Sequence, residues 1–241
     1  MIEAVTFDFW NTIARVPSGA MNEARQRGIA AACASHEIEI EAELLTASLR
    51  EVGLDWERSW AAGRHLPPHE AAESLVRALG IEGAAREMVA EAFLGAGREV
   101  ALELAPDIRA CLEALGERGV RLGIVCDVGF SGGELLRELL AGEGLLQHFS
   151  GWAFSDEVGH YKPSPRIFEA ALGSLDAKPA ASLHVGDLRR TDIVGAAALG
   201  MRTVRYRGMN DEGARDEGTE AEFVLDNHLQ LLDVLDRLDR D

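Results

Sequence analysis

The 241-residue chain predicts an α/β fold: a three-layer core built on a parallel sheet, interrupted after its first strand by an all-helical insert. Three observations lead there. The chain opens on a short, partly β-branched run, Ile2 to Asp8, that ends in a carboxylate. From about residue 20 to 100 the texture becomes Ala-, Glu-, Leu- and Arg-rich with a helical period, as in Glu41 to Val52 and Glu70 to Leu79. From Pro106 onward, strand-like and helix-like stretches alternate, which implies right-handed βαβ units and a parallel sheet.

Each element has a local reason. Pro106 to Arg118 reads as a helix, with proline in its first turn and Gly119 past its end. Val120 to Cys126 is a buried strand. Ser131 to Ala141 is a helix that Ser131 and Glu134 are spaced to cap. Trp152 to Ser155 is a short strand, and Ser164 to Leu172 a helix with Pro165 at its first position. Ser182 to Gly186 is a strand, Thr191 to Leu199 a helix and Arg202 to Tyr206 a strand. Phe223 to Leu225 reads as a last strand before a helix from Asn227. Residues 1–14 and 101–241 are thus assigned to the α/β core and 15–100 to the helical insert. Gly53, Gly63, Pro67-Pro68, Gly80 and Gly83 punctuate the insert, and Asn210 to Glu220 reads as a mobile surface loop.

Bulk properties exclude several function classes. A formal net charge of −17 opposes binding to nucleic acid. No apolar run reaches the ~20 residues that span a bilayer, so no membrane partner is expected. The N-terminal residues lack the basic stretch of a secretory signal, and Cys33, Cys111 and Cys126 lack the spacing of a disulfide frame or zinc site. Both features fit a cytoplasmic setting. The basic residues include just two lysines, Lys162 and Lys178, which marks either as a candidate for a place needing a compact ammonium.

Charged residues fall at the carboxyl ends of the strands, where α/β sheets bind their ligands. Asp8 ends the first strand, Asp127 follows Cys126, Asp187 follows Gly186, and Asp192 lies five residues on. Lys162 sits before the helix at Ser164, so all five are expected to face one crevice. Asp8, Asp187 and Asp192 together carry −3 and Lys162 carries +1, a balance that one Mg²⁺ brings to zero. All-oxygen donors select Mg²⁺ over zinc.

Four segments then resemble a known family. Phe7-Asp8-Phe9-Trp10-Asn11-Thr12, Val120 to Asp127, Gly159-His160-Tyr161-Lys162-Pro163 and Val185 to Asp192 are similar, in order, to the four motifs of the haloacid dehalogenase superfamily. The resemblance covers essentially the whole chain and implies a Rossmann-like core with a helical cap of the type inserted after the first motif. It implies a hydrolase, most often a phosphatase, acting on a small-molecule phosphate ester. Asp8 would be the nucleophile, forming an aspartyl intermediate, and Lys162 would hold Asp8 and the transferring group. Mg²⁺ would be bound by Asp8, the backbone carbonyl of Trp10, Asp187 and, through a water, Asp192. Cys126, Asp127 and Lys162 would face the phosphoryl group. Monomer and homodimer both remain open.

Two positions depart from the family pattern. Trp10 stands where phosphatases carry a second Asp that serves as acid and base, and an indole cannot do that work. Cys126 replaces a Ser or Thr hydroxyl, and Asp127 replaces a common Asn, with Arg15, Arg189 and Arg190 as nearby candidates to pair it. Haloacid dehalogenases of the superfamily also carry an aromatic residue at the Trp10 position, because halide departs without a proton. They work without metal, however, and the Asp187 and Asp192 arrangement speaks against them. A weakly catalytic, metal-binding or regulatory protein is the remaining alternative. In the insert, Trp56, Arg58, Trp60, Arg64 and His65 form an aromatic and basic cluster that is a candidate for substrate selection.

Overall fold

The computed structural model of the chain describes residues 1–211 and 217–240. The chain runs β1 (Ala4–Phe7), β2 (Ala14–Arg15), α1 (Ala20–Ala34), α2 (Ala42–Ala61), α3 (Pro68–Ala78), α4 (Ala85–Leu94) and β3 (Glu103–Leu104). It continues through α5 (Ile108–Glu117), β4 (Arg121–Cys126), α6 (Gly133–Gly142), β5 (Gly151–Phe154), α7 (Ser155–Val158) and α8 (Pro165–Ser174). It ends with β6 (Ser182–Gly186), α9 (Val194–Ala198), β7 (Arg202–Tyr206), β8 (Phe223–Leu225) and α10 (Gln230–Leu238). Of the Asn210 to Glu220 loop, residues 212–216 lie outside the described residues.

Two compact units result. The first comprises Met1–Arg15, Glu103–Asp127 and Leu140–Asp241, and the second Val16–Leu102 with Val128–Leu139. Residues 128–139, assigned to the core from sequence, thus group with the helices. Two contacts account for it: Phe130 lies 4.9 Å from Phe93 and 6.2 Å from Trp56, ring centre to ring centre, and Glu138 pairs with Arg98 at 2.7 Å.

In the first unit, six strands among the described residues form one sheet in the order β5-β4-β1-β6-β7-β8, every pair parallel. Central β1 is buried at every position, as a strand covered on both faces must be. Its registers pair Phe7 with Ile124 and with Val185, so β4 and β6 run two and one residues past the end of β1 at the same edge of the sheet. The residues that follow these strands, Asp8, Asp127 and Asp187, gather at that edge, close enough for Asp8 to feel the charge of Asp127 and Asp187 that of Asp8. A two-residue antiparallel pair, β2 with β3, ties Arg15 to Glu103 by a 2.7 Å ion pair. Sequence periodicity had no purchase on strands this short.

In the second unit, α1 to α4 bury Ile29, Leu45, Val52, Leu75, Val89 and Phe93 in one core. Helix α2 runs through Gly53, where the sequence suggested a stop. A mid-helix glycine costs only ~1 kcal/mol relative to alanine. The buried stripe continues past it from Leu45, Ser48 and Val52 to Ser59, so packing carries the helix on. Among the described residues, no helix is long and apolar enough to cross a membrane.

Phe7 is fully buried in the central strand and meets Phe149 edge-on at 6.4 Å. Phe7→Ala is expected to lower stability by about 3–5 kcal/mol, measured by urea unfolding followed by far-ultraviolet circular dichroism.

Candidate active site

Asp8 sits one residue beyond β1, its amide bonded to the Val185 carbonyl at 2.8 Å. A tight turn follows, in which the Phe9 carbonyl accepts from the amides of Ile13 and Ala14. Asn11 takes a left-handed conformation (φ 58°), which asparagine tolerates better than most residues. This turn fixes where the carboxylate of Asp8 points and where the Trp10 backbone lies.

Lys162 is the hub. Its Nζ donates to Asp8 Oδ1 at 2.5 Å, to Asp192 Oδ1 at 2.7 Å and to the Val125 carbonyl at 3.2 Å. Three acceptors use its three N–H donors, and only 4% of the residue is exposed. Its backbone amide donates to Asp127 Oδ1 at 3.0 Å, so Asp127 closes the loop that delivers Lys162. Arg15, one of the candidates to pair Asp127, is engaged with Glu103 and the Met209 carbonyl instead.

Asp192 accepts four hydrogen bonds. Oδ1 accepts from Lys162 and from His184 Nε2 at 3.2 Å, and Oδ2 from the Leu188 amide at 3.1 Å and the Thr191 hydroxyl at 3.3 Å. A π-helical turn over Arg189–Ile193 presents it, where sequence suggested the start of an ordinary helix. Gly186 makes room, since a Cβ there would lie 2.3 Å from Asp192 Cγ.

Behind Asp192 stands a pair that sequence reasoning missed. His184 on β6 is fully buried, and its Nδ1 lies 2.9 Å from the hydroxyl of Thr6, its register partner on β1. A carboxylate can only accept, so the His184 proton resides on Nε2 and Nδ1 accepts from Thr6. Two polar residues in otherwise apolar strands were the available signal, but only the β1–β6 register reveals that they meet.

Electrostatics separates the carboxyls. Burial pushes Asp192 up, but Lys162 and His184 outweigh it and hold the group well below the usual carboxylate range. Burial dominates at Asp8, where Lys162 opposes it and Asp192 and Asp127 reinforce it, and the pKa rises to about 7. Asp187 is raised well above its ordinary value by burial and by repulsion from Asp8 and Asp192. Its Oδ2 accepts a 3.4 Å hydrogen bond from Asn210. Burial also lowers the affinity of His184 for a second proton and keeps the Cys126 thiol neutral. Cys126 is fully buried, with no side-chain surface open to solvent. Among the described residues, no three Asp, Glu, His or Cys side chains gather closely enough to form a complete metal cage.

In the cluster noted in the insert, Trp56 and Trp60 stack at 5.6 Å, Arg58 pairs with Asp55 at 2.6 Å, and Arg64 donates to Ser59 at 3.1 Å.

A model of the haloacid dehalogenase-like hydrolase family matches residues 2–200. The chain belongs to this family of hydrolases. A glyceraldehyde 3-phosphate phosphatase from Methanopyrus kandleri is 32% identical over the full length of both chains. A phosphoserine phosphatase from Thermus thermophilus is 36% identical over 74% of this chain and 67% of its own. Among solved structures, a 2-haloacid dehalogenase from Pseudomonas syringae pv. Tomato is 26% identical over 99% and 100% of the two chains, with a TM-score of 0.72. A phosphatase of the same superfamily from Thermococcus onnurineus has the same fold, with 23% identity, coverage of 97% and 98%, and a TM-score of 0.66.

The raised pKa of Asp8 carries a stability signature. The folded state holds the Asp8 proton up to about pH 7, whereas the unfolded chain releases it near the ordinary value of 3.8. Folding is therefore increasingly penalised as pH rises from about 4 to 7. In metal-free solution, the melting temperature of Asp8→Asn is expected to exceed that of the wild type at pH 8, with the gap narrowing at pH 5. Thermal unfolding at both pH values checks this.

Proposed function

We propose that the protein is a Mg²⁺-dependent phosphatase that hydrolyses a small phosphate monoester through an aspartyl intermediate on Asp8. The observation that carries this reading is the Lys162 ammonium bonded at once to Asp8 and Asp192. A buried cation against one oxygen of a carboxylate orients that group without using its other oxygen. Asp8 Oδ2 is the atom we assign to attack phosphorus. Lys162 also supplies a fixed positive charge where the transferring phosphoryl group gathers negative charge. Asp192 holds Lys162, and His184 and Thr6 hold Asp192, so these are positioning residues.

The donor set fits magnesium. Asp8 and Asp187 are both buried and repel each other, which a divalent cation relieves. With the Trp10 carbonyl they offer three hard oxygens, and Mg²⁺ customarily takes its remaining ligands from water and phosphate. Asp192, with both oxygens engaged by protein donors, acts on this site at one remove. When bound, Mg²⁺ neutralises charge on the phosphoryl oxygens and keeps Asp8 ionised at neutral pH.

Trp10 sets the limit on rate. Departure of an alkoxide calls for a proton, and so does activation of the water that releases phosphate from Asp8. Indole supplies neither, so turnover should favour esters whose leaving group departs as an anion. The relatives named for phosphate esters support the phosphatase reading. The similarity to a 2-haloacid dehalogenase supports a second reading, in which Trp10 costs nothing because halide leaves unprotonated. Asp187 and Asp192 count against it, because both would oppose a haloacid carboxylate.

With Mg²⁺ and p-nitrophenyl phosphate, the wild type is expected to release phosphate, and Asp8→Asn or EDTA to abolish the release. Halide release from 2-haloacids that persists in EDTA establishes the second reading instead. Trp10→Asp should raise kcat on an alkyl phosphate by roughly 10²–10⁴-fold, measured by phosphate release. No gain there contradicts the assignment of an acid–base gap at that position.

A further inference from the structure

We infer that His228, just ahead of α10, is a positioning residue that locks the turn carrying Asp8 and the Trp10 carbonyl. The lock is a feature of the α/β unit itself, and its effect on rate rests on the phosphatase reading above. The turn after β1 is bonded internally, but two of its carbonyls accept from distant segments. The Ile13 carbonyl accepts from the Ala105 amide at 2.8 Å, a backbone contact open to any residue but proline. The Thr12 carbonyl accepts from His228 Nε2 at 2.8 Å, and both residues are fully buried. A carbonyl can only accept, so the His228 proton resides on Nε2.

The donor is held firmly. Its ring stacks on Tyr206 of β7, with centres 4.0 Å apart and 20° between planes, and lies 6.1 Å from Phe7 of β1. The His228 carbonyl accepts from the Leu231 amide at 3.0 Å. Neighbouring Asn227 donates to Asp107 Oδ2 at 2.6 Å and accepts from the Leu229 amide at 2.8 Å. Burial outweighs the Thr12 bond and Asp107 and lowers the His228 pKa to about 4, so the ring is neutral at pH 7.

The other ring nitrogen, Nδ1, is buried without a hydrogen-bond partner. A buried acceptor left unpaired costs stability. An apolar side chain would avoid that cost, so the bond from Nε2 is what an imidazole adds here. That bond falls four residues from Asp8 and two from Trp10. A shift of about 1 Å at a reacting group can cost roughly 10²-fold in rate. Fixing this turn therefore governs how Asp8 Oδ2 faces phosphorus and where the Trp10 carbonyl is offered to a cation.

The test compares two amides that differ in reach. The His228→Gln amide extends to the place of Nε2 and can still donate to Thr12, whereas the shorter His228→Asn amide reaches only the place of Nδ1. Hydrogen–deuterium exchange is followed in the peptide spanning residues 8–14, in metal-free protein without substrate. Exchange should be about tenfold faster in His228→Asn than in the wild type and within about threefold of it in His228→Gln. With Mg²⁺ and p-nitrophenyl phosphate, His228→Asn should lower kcat roughly 10- to 100-fold while KM stays within about threefold, and His228→Gln should restore most of kcat. If neither variant folds, ¹⁵N spectra of the wild-type histidine rings decide, and His228 should be the Nε2–H tautomer. Wild-type exchange in His228→Asn, equal acceleration in both variants, an unchanged kcat in His228→Asn, or an Nδ1–H tautomer would each overturn the proposal. A wild type without phosphatase activity would count against the phosphatase reading alone, because exchange and the ring spectra still decide the lock.

Discussion

One ammonium organises the α/β unit's chemistry. Lys162 is buried with every N–H engaged, and two of its acceptors are carboxylates from different parts of the chain. A lone lysine at this depth would shed its proton, and a lone pair of aspartates would gain one. Lys162 and Asp192 hold each other charged, whereas burial keeps the Asp8 pKa raised to about 7. Burial lowers the Lys162 pKa, but Asp192, Asp8 and Asp127 raise it well above its ordinary value. Removing one partner leaves an uncompensated charge in a dry place, which is why the rest of the local structure serves to keep them together.

That dependence runs outward through the fold. The parallel pairing of β4, β1 and β6 brings Asp127, Asp8 and Asp187 to one edge of the sheet. The π-helical turn and the bare Cα of Gly186 let Asp192 reach Lys162. The Thr6–His184 pair, sunk between two strands, fixes the proton that His184 offers to Asp192. The carboxyls consequently divide into two kinds. Asp192 is satisfied by protein donors and stays ionised, whereas Asp8 and Asp187 are under-compensated and call for positive charge from elsewhere.

Much of this was legible in the sequence because parallel strands read as apolar runs, and the carboxylates stand at their ends. Asp8, Asp187, Asp192 and Lys162 could be singled out by position. What escaped was whatever depends on register or on distant packing. His184 looks like any residue of a buried strand until Thr6 is placed beside it. Residues 128–139 follow a strand of the α/β unit, and the ring contacts of Phe130 together with the Glu138–Arg98 ion pair assign them to the helices.

The central claim is that Asp8, held by Lys162, takes the phosphoryl group onto its own side chain. The direct measurement is mass spectrometry of the peptide containing Asp8, from protein quenched in acid during turnover of a phosphate monoester with Mg²⁺. The account predicts one phosphoryl group on Asp8, formed and lost at rates compatible with phosphate release, and none in Lys162→Met. Steady phosphate release while the Asp8 peptide stays unmodified under conditions that preserve acyl phosphates, or a label carried by another residue, would contradict it.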